Sequence, residues 1–421
     1  MFWLAAAVAL QAFAEDGPPV LTGRVFTDIY APTRDEPLRT DLRQASTSIW
    51  LQADPKLGER SSAHLTLTGD YFETALPGNP DIRRLRVGLR EAYVAYAHQG
   101  WEFRVGRQII PWGKSDAVNP TDFLSAKDYT FLNPDEEVRR VAATSVLTTW
   151  TPSRGSSPLS VTFVWTPVFP QTRLLIPPSA LPEAGGPVTV DTDPTSPSAN
   201  LSNSETALRL SYAGDGWDAA VTAFRGFNHM PEFTFSGTTV FPTFNRVRAL
   251  GADLSFTSGR WIFRGESSYI WTQNDRGTNP LIQPSHWDSV IGIERPVGDD
   301  FRAQIQVLYR VHPRFTDPED AAVGAEIAKA NALLLGYQFQ SRVGATFRIA
   351  YEPEKSDFQA ELFTIGNFMG GDYLLRPKLT YAWSDALKTT LGTEYYAGPL
   401  DRPLGALQVY NSLFLEAKYS F

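Results

Sequence analysis

The sequence predicts an all-β fold, an antiparallel β-barrel that crosses a membrane, and three observations support this prediction. Apolar and polar residues alternate with a period of two along many segments of the chain. Aromatic residues, which make up 13% of the chain, recur at both ends of such segments on the apolar face. Beyond the N-terminal region, no stretch approaches the roughly 18 uninterrupted apolar residues of a spanning helix, so a membrane protein with this sequence has to cross as a closed barrel.

Residues 1–14 are predicted to be a signal peptide. The segment Phe2–Leu10 is the only long apolar run, and Ala12-Phe13-Ala14 has the small-x-small pattern of a signal-peptidase site. Because this segment contains no Lys or Arg, two alternatives stay open: the true start lies upstream, or the run is a buried helix. The residues that follow the signal peptide, 15–421, are predicted to form a single barrel domain, since no shift in composition marks a second one.

The segment Trp261–Trp271 shows the alternation most clearly. Its odd positions include Phe263 and both tryptophans, whereas Arg264 and Glu266 occupy the other face. The two tryptophans lie about 33 Å apart along a strand, which projects to about 24 Å at a tilt of roughly 45° and matches the apolar band of a membrane barrel. A β-sandwich also alternates, but its outer face does not carry aromatic residues at both ends.

The alternating segments number eighteen, although sixteen remains an alternative. A barrel with both chain ends in the periplasm needs an even number of strands. Splitting Tyr337–Glu352 at Ser341-Arg342 would give nineteen, but no turn residue stands there, so we treat the segment as one strand. The predicted strands are Val20–Ala31, Arg43–Ala53, Ser61–Phe72, Leu85–Gln99, Trp101–Ile109, Val141–Thr151, Leu159–Val168, Ser204–Ala213, Trp217–Phe227, Arg246–Thr257, Arg260–Gln273, Ser285–Arg295, Phe301–Val311, Tyr337–Glu352, Asp357–Gly366, Tyr373–Trp383, Ala386–Ala397 and Gln408–Phe421.

The connections alternate between short turns and long loops, as expected when one barrel end faces the periplasm and the other faces outward. Residues 169–203 are rich in Pro, Gly, Ser and Thr and are predicted to form a long extracellular loop without regular structure. The segment from Asp317 to about Asn331 predicts a helix. The phase of the alternation changes near Arg90-Glu91, and Pro377 inside a strand predicts a bulge.

The last strand ends in an aromatic residue. Its apolar face carries Leu413, Leu415 and Ala417 and finishes with Tyr419 and Phe421. This ending resembles the terminal signal by which the barrel-assembly machinery recognises outer-membrane proteins. The expected location is therefore the outer membrane of a Gram-negative-type envelope, with outer-membrane lipid and that machinery as partners.

Between residues 110 and 140 the alternation stops. Asn119-Pro120 predicts a turn, Thr121 or Asp122 could cap a short helix, and Asn133-Pro134 with the acidic residues after it predicts another helix start. A compact segment of this length can fold inward and narrow a barrel whose lumen is otherwise an open aqueous channel. The predicted constriction residues are Trp112, Gly113, Lys114, Asp116, Asn119 and Asp122.

Motifs in and next to this segment also resemble those of a known family. Gly106-Arg107-Gln108, Trp112-Gly113-Lys114 and Asn119-Pro120-Thr121-Asp122 together resemble the signature of a family of porin-like outer-membrane barrels, distantly similar to the alginate-export barrels. The stretch Gly371–Pro377 fits the same pattern. The resemblance implies a barrel with a channel-like lumen and names no substrate.

Charged residues on the polar faces are expected to line the lumen. They could form a ladder of cations that guides anionic solutes, or the two signs could simply pair along a polar wall. The charges proposed for the lumen are Arg104, Arg264, Glu266, Arg302, Arg348, Arg376 and Lys378, with Arg209, Lys388, Glu102, Asp253, Glu361 and Glu394 on the same faces.

Composition limits the function further. A net charge of −8 disfavours nucleic acid as a partner, and the absence of cysteine removes thiolate chemistry. Oxygen donors at Asp116, Asn119 and Asp122 suit turns and caps as well as calcium, so no metal or other cofactor is expected. None of the histidines, at positions 64, 98, 229, 286 and 312, lies in a recognised catalytic motif, so an enzyme is not expected.

The expected function is a porin-like channel for small polar or anionic solutes. Two alternatives stay open. The barrel could be a substrate-specific exporter or uptake channel for an oligosaccharide, an aromatic acid or a lipid-like compound, or it could be a surface barrel for adhesion or receptor binding. The sequence does not define the oligomeric state.

Overall fold

The computed structural model describes residues 21–33, 44–76, 79–130, 133, 135–152, 155, 157–174, 189–190 and 196–421. Every structural statement below concerns these residues. The predicted signal peptide at residues 1–14 lies outside them, as does most of the middle of the predicted loop 169–203. Within the described residues, no helix has both the length and the apolar character needed to span a membrane.

In this part of the chain, eighteen antiparallel strands close into one barrel, which confirms the predicted fold class and strand number. The strands are β1 (Leu21–Pro32), β2 (Gln44–Ala53), β3 (Ser61–Leu76), β4 (Asn79–His98), β5 (Trp101–Gln108), β6 (Ala143–Trp150), β7 (Leu159–Thr166), β8 (Glu205–Ala213), β9 (Trp217–Phe227), β10 (Arg246–Ser258), β11 (Trp261–Trp271), β12 (His286–Val297), β13 (Phe301–Val311), β14 (Ser341–Tyr351), β15 (Phe358–Asn367), β16 (Asp372–Ala382), β17 (Leu387–Ala397) and β18 (Ser412–Ser420). A short strand, Lys56–Gly58, pairs with the start of β3.

The barrel closes where the first strand meets the last. Strands β1 and β18 pair in register from Arg24 opposite Ser420 to Pro32 opposite Ser412. Beyond this ladder, Gly23 and Phe421 exchange backbone hydrogen bonds of 2.8 and 3.0 Å. Because every barrel strand therefore has two partners, the wall has no open edge.

The two faces of the wall differ as the alternation predicts. Large apolar side chains are exposed on the outside, among them Leu210, Val221, Ile291 and Leu415. Trp261 and Trp271, at the two ends of β11, are also exposed. Polar residues such as Asp253 and Glu266 are buried on the inner side. An apolar exterior suits lipid and a polar interior suits water, which is the inverse of a soluble domain.

The connections differ in length at the two barrel ends. Those at the end where β1 begins and β18 finishes are short, for example Gln99-Gly100 between β4 and β5, where Gln99 has a φ of 49°. Most of those at the opposite end are long and contain the other elements. These are the helices α1 (Glu136–Arg139) and α2 (Ala325–Leu335), the 3-10 turns Leu201–Asn203, Pro318–Asp320 and Gly405–Tyr410, and the short strands Ala126–Tyr129, Arg140–Val141, Arg173–Leu174, Thr189–Val190, Glu232–Ser236 and Thr239–Thr243.

The helix predicted between Asp317 and Asn331 is present as a 3-10 turn followed by α2. Two predicted strands start later than expected. Gly336, with a φ of 70°, ends α2, and the buried Tyr337 donates to the carbonyl of Pro280, so β14 begins only at Ser341. Likewise, residues 408–410 belong to a 3-10 turn rather than to β18.

A bulge explains the change of phase near Arg90. Thr66 pairs with Glu91 whereas the next residue, Leu67, pairs with Leu89, so Arg90 is the extra residue of β4. The Nε of Arg107 donates to the carbonyls of Leu89 at 2.9 Å and Arg90 at 3.2 Å. The Arg107 side chain therefore satisfies carbonyls at the bulge.

The prediction of a bulge at Pro377 is wrong. Strands β16 and β17 pair Leu375 with Tyr395 and Lys378 with Gly392, which is the same register on both sides of the proline. Pro377 has no N–H to donate, so the ladder is interrupted locally, and no extra residue is needed to accommodate it.

The loop at residues 169–203 is not wholly irregular, contrary to the prediction. Arg173–Leu174 pairs in parallel with Asp128–Tyr129, and Thr189–Val190 pairs in parallel with Thr239–Val240. Both short strands cover backbone groups at the edge of a small sheet, which a Pro-rich composition alone does not reveal.

A cap joins three long connections at the barrel end opposite the start of β1. The hairpin Glu232–Ser236 and Thr239–Thr243 packs Phe233 and Val240 against Ile327 of α2. The buried side chain of Asn331 accepts from the Phe233 amide at 2.7 Å and donates to the carbonyls of Phe233 and Leu281. The sequence analysis did not predict this hairpin.

We expect the cap to be more stable at acid pH. Glu232 is buried and hydrogen-bonded to Asn245 and to the Gln283 amide, and burial raises its pKa from 4.5 to about 7. The stabilisation is fully present below pH 4.5 and is lost as the pH rises through about 7, by up to ~3 kcal/mol. Hydrogen exchange of the Phe233 and Val240 amides, corrected for intrinsic rates, should therefore be slower at the lower pH.

The matched control for this prediction is Glu232→Gln, whose side chain does not titrate. The pH dependence of cap exchange should disappear in that variant. An equal pH dependence in both proteins would contradict the assignment to Glu232.

Candidate pore constriction

The segment from 110 to 140 leaves the wall after β5, folds into the lumen and returns at β6, as predicted. The strand Ala126–Tyr129 pairs with Arg140–Val141 and with Arg173–Leu174. Helix α1 starts at the predicted place, with the Asp135 carboxylate accepting from the Glu137 amide at 3.0 Å. The helix predicted after Thr121 or Asp122 is wrong, because Asp122 instead accepts from the Trp112 amide and the Ser125 hydroxyl.

The inner wall carries an apolar patch where this segment docks. Inward-facing Leu147, Val164 and Phe224 belong to β6, β7 and β9 and are buried together with Leu124 of the segment. Phe123 stacks on Phe224 with ring centroids 5.8 Å apart. The patch is an exception to the polar lumen that the alternation predicts, and it is stable because the segment covers it.

Glu266 of β11 is the central anchor of the segment. Its Oε1 accepts from the Lys114 amide and, at 2.5 Å, from the Ser115 amide. Its Oε2 accepts from both the amide and the hydroxyl of Thr121, at 3.2 and 2.8 Å. One buried carboxylate therefore satisfies both ends of the turn that contains Asn119.

Gly113 and Lys114 fit against the same wall. Gly113 has a φ of 101°, and a Cβ there would lie 3.0 Å from Asn119 and 3.1 Å from Glu266. The Nζ of Lys114 forms ion pairs with Asp218 and, at 3.5 Å, with Asp253. Burial lowers the pKa of Lys114, and the Asp253 carboxylate opposes that effect. Lys114 thus fixes the segment to the wall.

Of the six predicted constriction residues, Asp116 alone lines the cavity that the segment forms with strands β14–β18. Its carboxylate reaches Arg348 of β14 at 3.4 Å, so the tip of the segment spans to a strand beyond its docking patch. The cavity has a volume of about 610 Å³ and lies between the segment and β14–β18. Trp112 packs in the docking patch, with Arg209 over its ring at 5.6 Å.

Among the described residues, the basic side chains proposed for the lumen, apart from Lys388, form ion pairs with carboxylates. The pairs are Arg104 with Glu102 at 2.7 Å, Arg209 with Asp253 at 2.8 Å, Arg264 with Glu294 at 2.5 Å, Arg302 with Glu294 and Glu352 at 3.7 Å each, Arg348 with Glu361 at 2.6 Å, Arg376 with Glu394 at 3.2 Å and Lys378 with Glu361 at 3.4 Å. This arrangement matches the paired alternative rather than a ladder of free cations.

Helix α1 docks on another part of the wall, formed by β1, β2 and β4, through residues that the sequence analysis missed. Arg24 and Arg90 sandwich the Trp50 ring at 3.8 and 4.1 Å. Arg24 also pairs with Glu137 at 2.9 Å. These residues come from β1, β2 and β4, so no local pattern in the sequence brings them together.

Two buried carboxylates, Asp128 and Asp122, bind arginines at the base of the segment. Burial raises the pKa of Asp128, but hydrogen bonds from Thr130 and the positive charges of Arg86 and Arg173 outweigh it, so the net pKa lies below the usual value. Burial raises the pKa of Asp122, and Arg140 opposes that change. Within the described residues, no group of three or more His, Cys, Asp or Glu side chains is placed to hold a metal ion.

Comparison with known proteins gives matches among solved structures. A scan against protein-family models finds no match, and a search of curated proteins finds none. The barrel is similar to Acinetobacter baumannii OccAB1, with a TM-score of 0.54 and 8% identity over 97% of each chain. It is also similar to Pseudomonas aeruginosa OccK11 (OpdR), with a TM-score of 0.52 and 10% identity over 95% of this chain and 94% of that chain.

A third similar structure is Pseudomonas aeruginosa OccD3 (OpdP), with a TM-score of 0.50 and 10% identity over 95% of this chain and 91% of that chain. These neighbours are outer-membrane porins. The match extends over nearly the whole of each barrel, whereas the identity is too low to carry residue roles across. The chain therefore has the fold of an eighteen-stranded outer-membrane porin.

Proposed function

We propose that this protein is an outer-membrane channel through which small polar solutes pass. The observation that carries the proposal is the polar cavity of about 610 Å³ between the inward segment and the wall. A second cavity of about 230 Å³ lies on the side of the long connections, and Ile365 lines both. The two cavities together mark a route along β12–β18, past the tip of the segment.

The inward segment is built as a constriction. Glu266 and Lys114 fix one side, Arg24 and Asp28 fix the other through Glu137 and Asn133, and Asp116 bridges to Arg348. A segment tied at several points keeps its shape when solute passes. A barrel of this strand number is wide enough to leave an aqueous lumen around it.

The specific resemblance to porin-like and alginate-export barrels is part of this proposal. Its support is structural, because the motif residues have physical tasks: Gly106 makes a close strand contact, Arg107 satisfies the bulge, and Glu266 holds the turn at Asn119. Cleavage of residues 1–14 and recognition by the barrel-assembly machinery belong to the proposal too. Tyr419 and Phe421 support the latter, since both are exposed on the outer face at the chain terminus.

Selective export or uptake of one compound is a narrower form of the same proposal, whereas adhesion through the long loop has less support. The first residues of that loop are bonded to the constriction. The Lys127 amide donates to the Thr172 hydroxyl at 3.1 Å, and Arg173 pairs with Asp128 at 3.1 Å. These contacts give the start of the loop a role in shaping the pore.

A hydrolytic site also has little support. His64 lies between the Asp54 carboxylate at 2.6 Å and the Thr66 hydroxyl at 3.0 Å, an order similar to a catalytic triad. Thr66, however, is only 4% exposed, so its hydroxyl is closed to a substrate. The structural neighbours are channels rather than enzymes.

The direct test is conductance. The purified, refolded protein should insert into a planar lipid bilayer and give discrete current steps, because the proposed route past the segment would let ions through. Heat-denatured protein from the same preparation is the control. Folded protein that inserts into vesicles and gives no steps would contradict the channel proposal.

A further inference from the structure

The charges around the larger cavity are unequal in number. Five basic and seven acidic side chains line it, which gives a formal charge of −2. The basic residues are Lys127, Arg139, Arg348, Arg376 and Lys378. In a lumen enclosed by a wall of low dielectric constant, such an imbalance acts on every ion that passes.

The basic side chains are largely neutralised. Glu361 binds both Arg348 at 2.6 Å and Lys378 at 3.4 Å, and Glu394 binds Arg376 at 3.2 Å. Lys127 pairs with Glu136 at 2.7 Å. The fifth, Arg139, lies over the ring of Tyr129 at 5.6 Å. Most of the positive charge in this cavity is therefore held by carboxylates and is not open to a passing anion.

Carboxylates without a close basic partner account for the excess of negative charge in the larger cavity. Among the described residues, no ion pair joins a basic side chain to Glu416 or Asp135; Glu416 is hydrogen-bonded instead to the Asp28 carboxyl, its register partner on β1. Glu352 has one distant partner, Arg302, at 3.7 Å. Glu416 lies on β18, where its outward-facing neighbour Leu415 is exposed, so its carboxylate points inward. Acidic groups exposed in a pore are the feature that attracts cations.

The smaller cavity does not reverse this balance. Its charged residues are Asp288, Arg310 and Arg342, and Arg310 is bound to Asp288 by two hydrogen bonds of 2.5 and 2.6 Å. One net positive charge there is less than the two net negative charges of the larger cavity.

From this arrangement we infer that the pore prefers cations, and that Glu352 and Glu416 set the preference for cationic over anionic solutes of similar size. The inference rests on the proposed channel function and names the charge class of its solutes. The inference therefore predicts that cations pass more readily, whereas a ladder of free cations in the lumen would favour anions.

The test is the reversal potential of single channels in a planar bilayer under a KCl gradient. The unmodified protein should show a potential of the sign that K⁺ selectivity gives. Replacing two carboxylates by amides in Glu352→Gln/Glu416→Gln should lower the K⁺/Cl⁻ permeability ratio by about two- to threefold, since water in the pore screens each charge. The matched control is Glu319→Gln/Glu326→Gln, which removes two exposed carboxylates of the β13–β14 connection and should leave the ratio unchanged.

The outcomes separate the two proposals. Absence of current steps would overturn the channel function and this inference with it. Normal steps with no selectivity, or with Cl⁻ selectivity, would overturn the inference alone. Cation selectivity that is equal in the unmodified protein and the Glu352→Gln/Glu416→Gln variant would overturn the assignment to these residues. The measurement on the unmodified protein decides the main point even if the variant fails to fold.

Discussion

Glu266→Ala should release the inward segment from the wall and raise the single-channel conductance. The substitution removes the acceptor of four hydrogen bonds, from the amides of Lys114, Ser115 and Thr121 and from the Thr121 hydroxyl. Hydrogen bonds to a charged group contribute about 1.5–3 kcal/mol each, so the total loss is several kcal/mol. This exceeds what the remaining ion pairs of Lys114 can offset, and the wider lumen should carry more current.

A matched control is Glu294→Ala, on the neighbouring strand β12. It removes another lumen carboxylate, one that pairs with Arg264 and Arg302 and not with the inward segment. A second readout uses the absence of native cysteine: Ser115→Cys is buried and should react with a thiol reagent much faster when combined with Glu266→Ala. Unchanged conductance and unchanged labelling in a folded Glu266→Ala barrel would refute the anchoring role.

Gly106→Val should prevent the barrel from forming. Gly106 has a φ of 141°, and a Cβ there would lie 2.2 Å from the carbonyl oxygen of Ala92 and 2.7 Å from the Cα of Tyr93. Both atoms belong to the backbone of β4, which pairs with β5 at this point, so the clash is not relieved by a rotamer change. The backbone strain alone costs about 1–3 kcal/mol, and separation of the two strands adds to it.

The readout for this substitution is the heat-dependent shift in gel mobility that a folded barrel shows. The unmodified protein should migrate differently before and after boiling, and Gly106→Val should not. Gly69→Val is the control, because no atom lies within 4 Å of a Cβ built at Gly69. Normal folding of Gly106→Val would show that the close approach of β4 and β5 is not required.

The strand pattern could be predicted because it is local. Inward and outward residues alternate along each strand, so Trp217–Phe227 and Phe301–Val311 were predicted with the bounds they have. The bulge at Arg90 also left a local trace, the change of phase. The start of α1 was predicted for the same reason, since Asp135 caps it from the preceding residue.

The arrangement of the constriction could not be predicted, because it depends on register between distant strands. Arg348 and Glu361 were both expected in the lumen, but their pairing follows only from the alignment of β14 with β15. Lys114 looked like a pore residue because nothing in its surroundings in the sequence reveals Asp218 and Asp253. The hairpin that contains Glu232 was missed because its small apolar face is covered by α2, far along the chain.

The seam between β1 and β18 affects how the protein is made. The two strands that complete the cylinder are separated by almost the whole sequence, so the last contacts to form span the largest loop. Until the C-terminal strand arrives, the growing sheet is a curved ribbon with two unsatisfied borders, each able to join a neighbouring ribbon. An unfinished chain therefore exposes edges that favour wrong strand pairing until β18 joins β1.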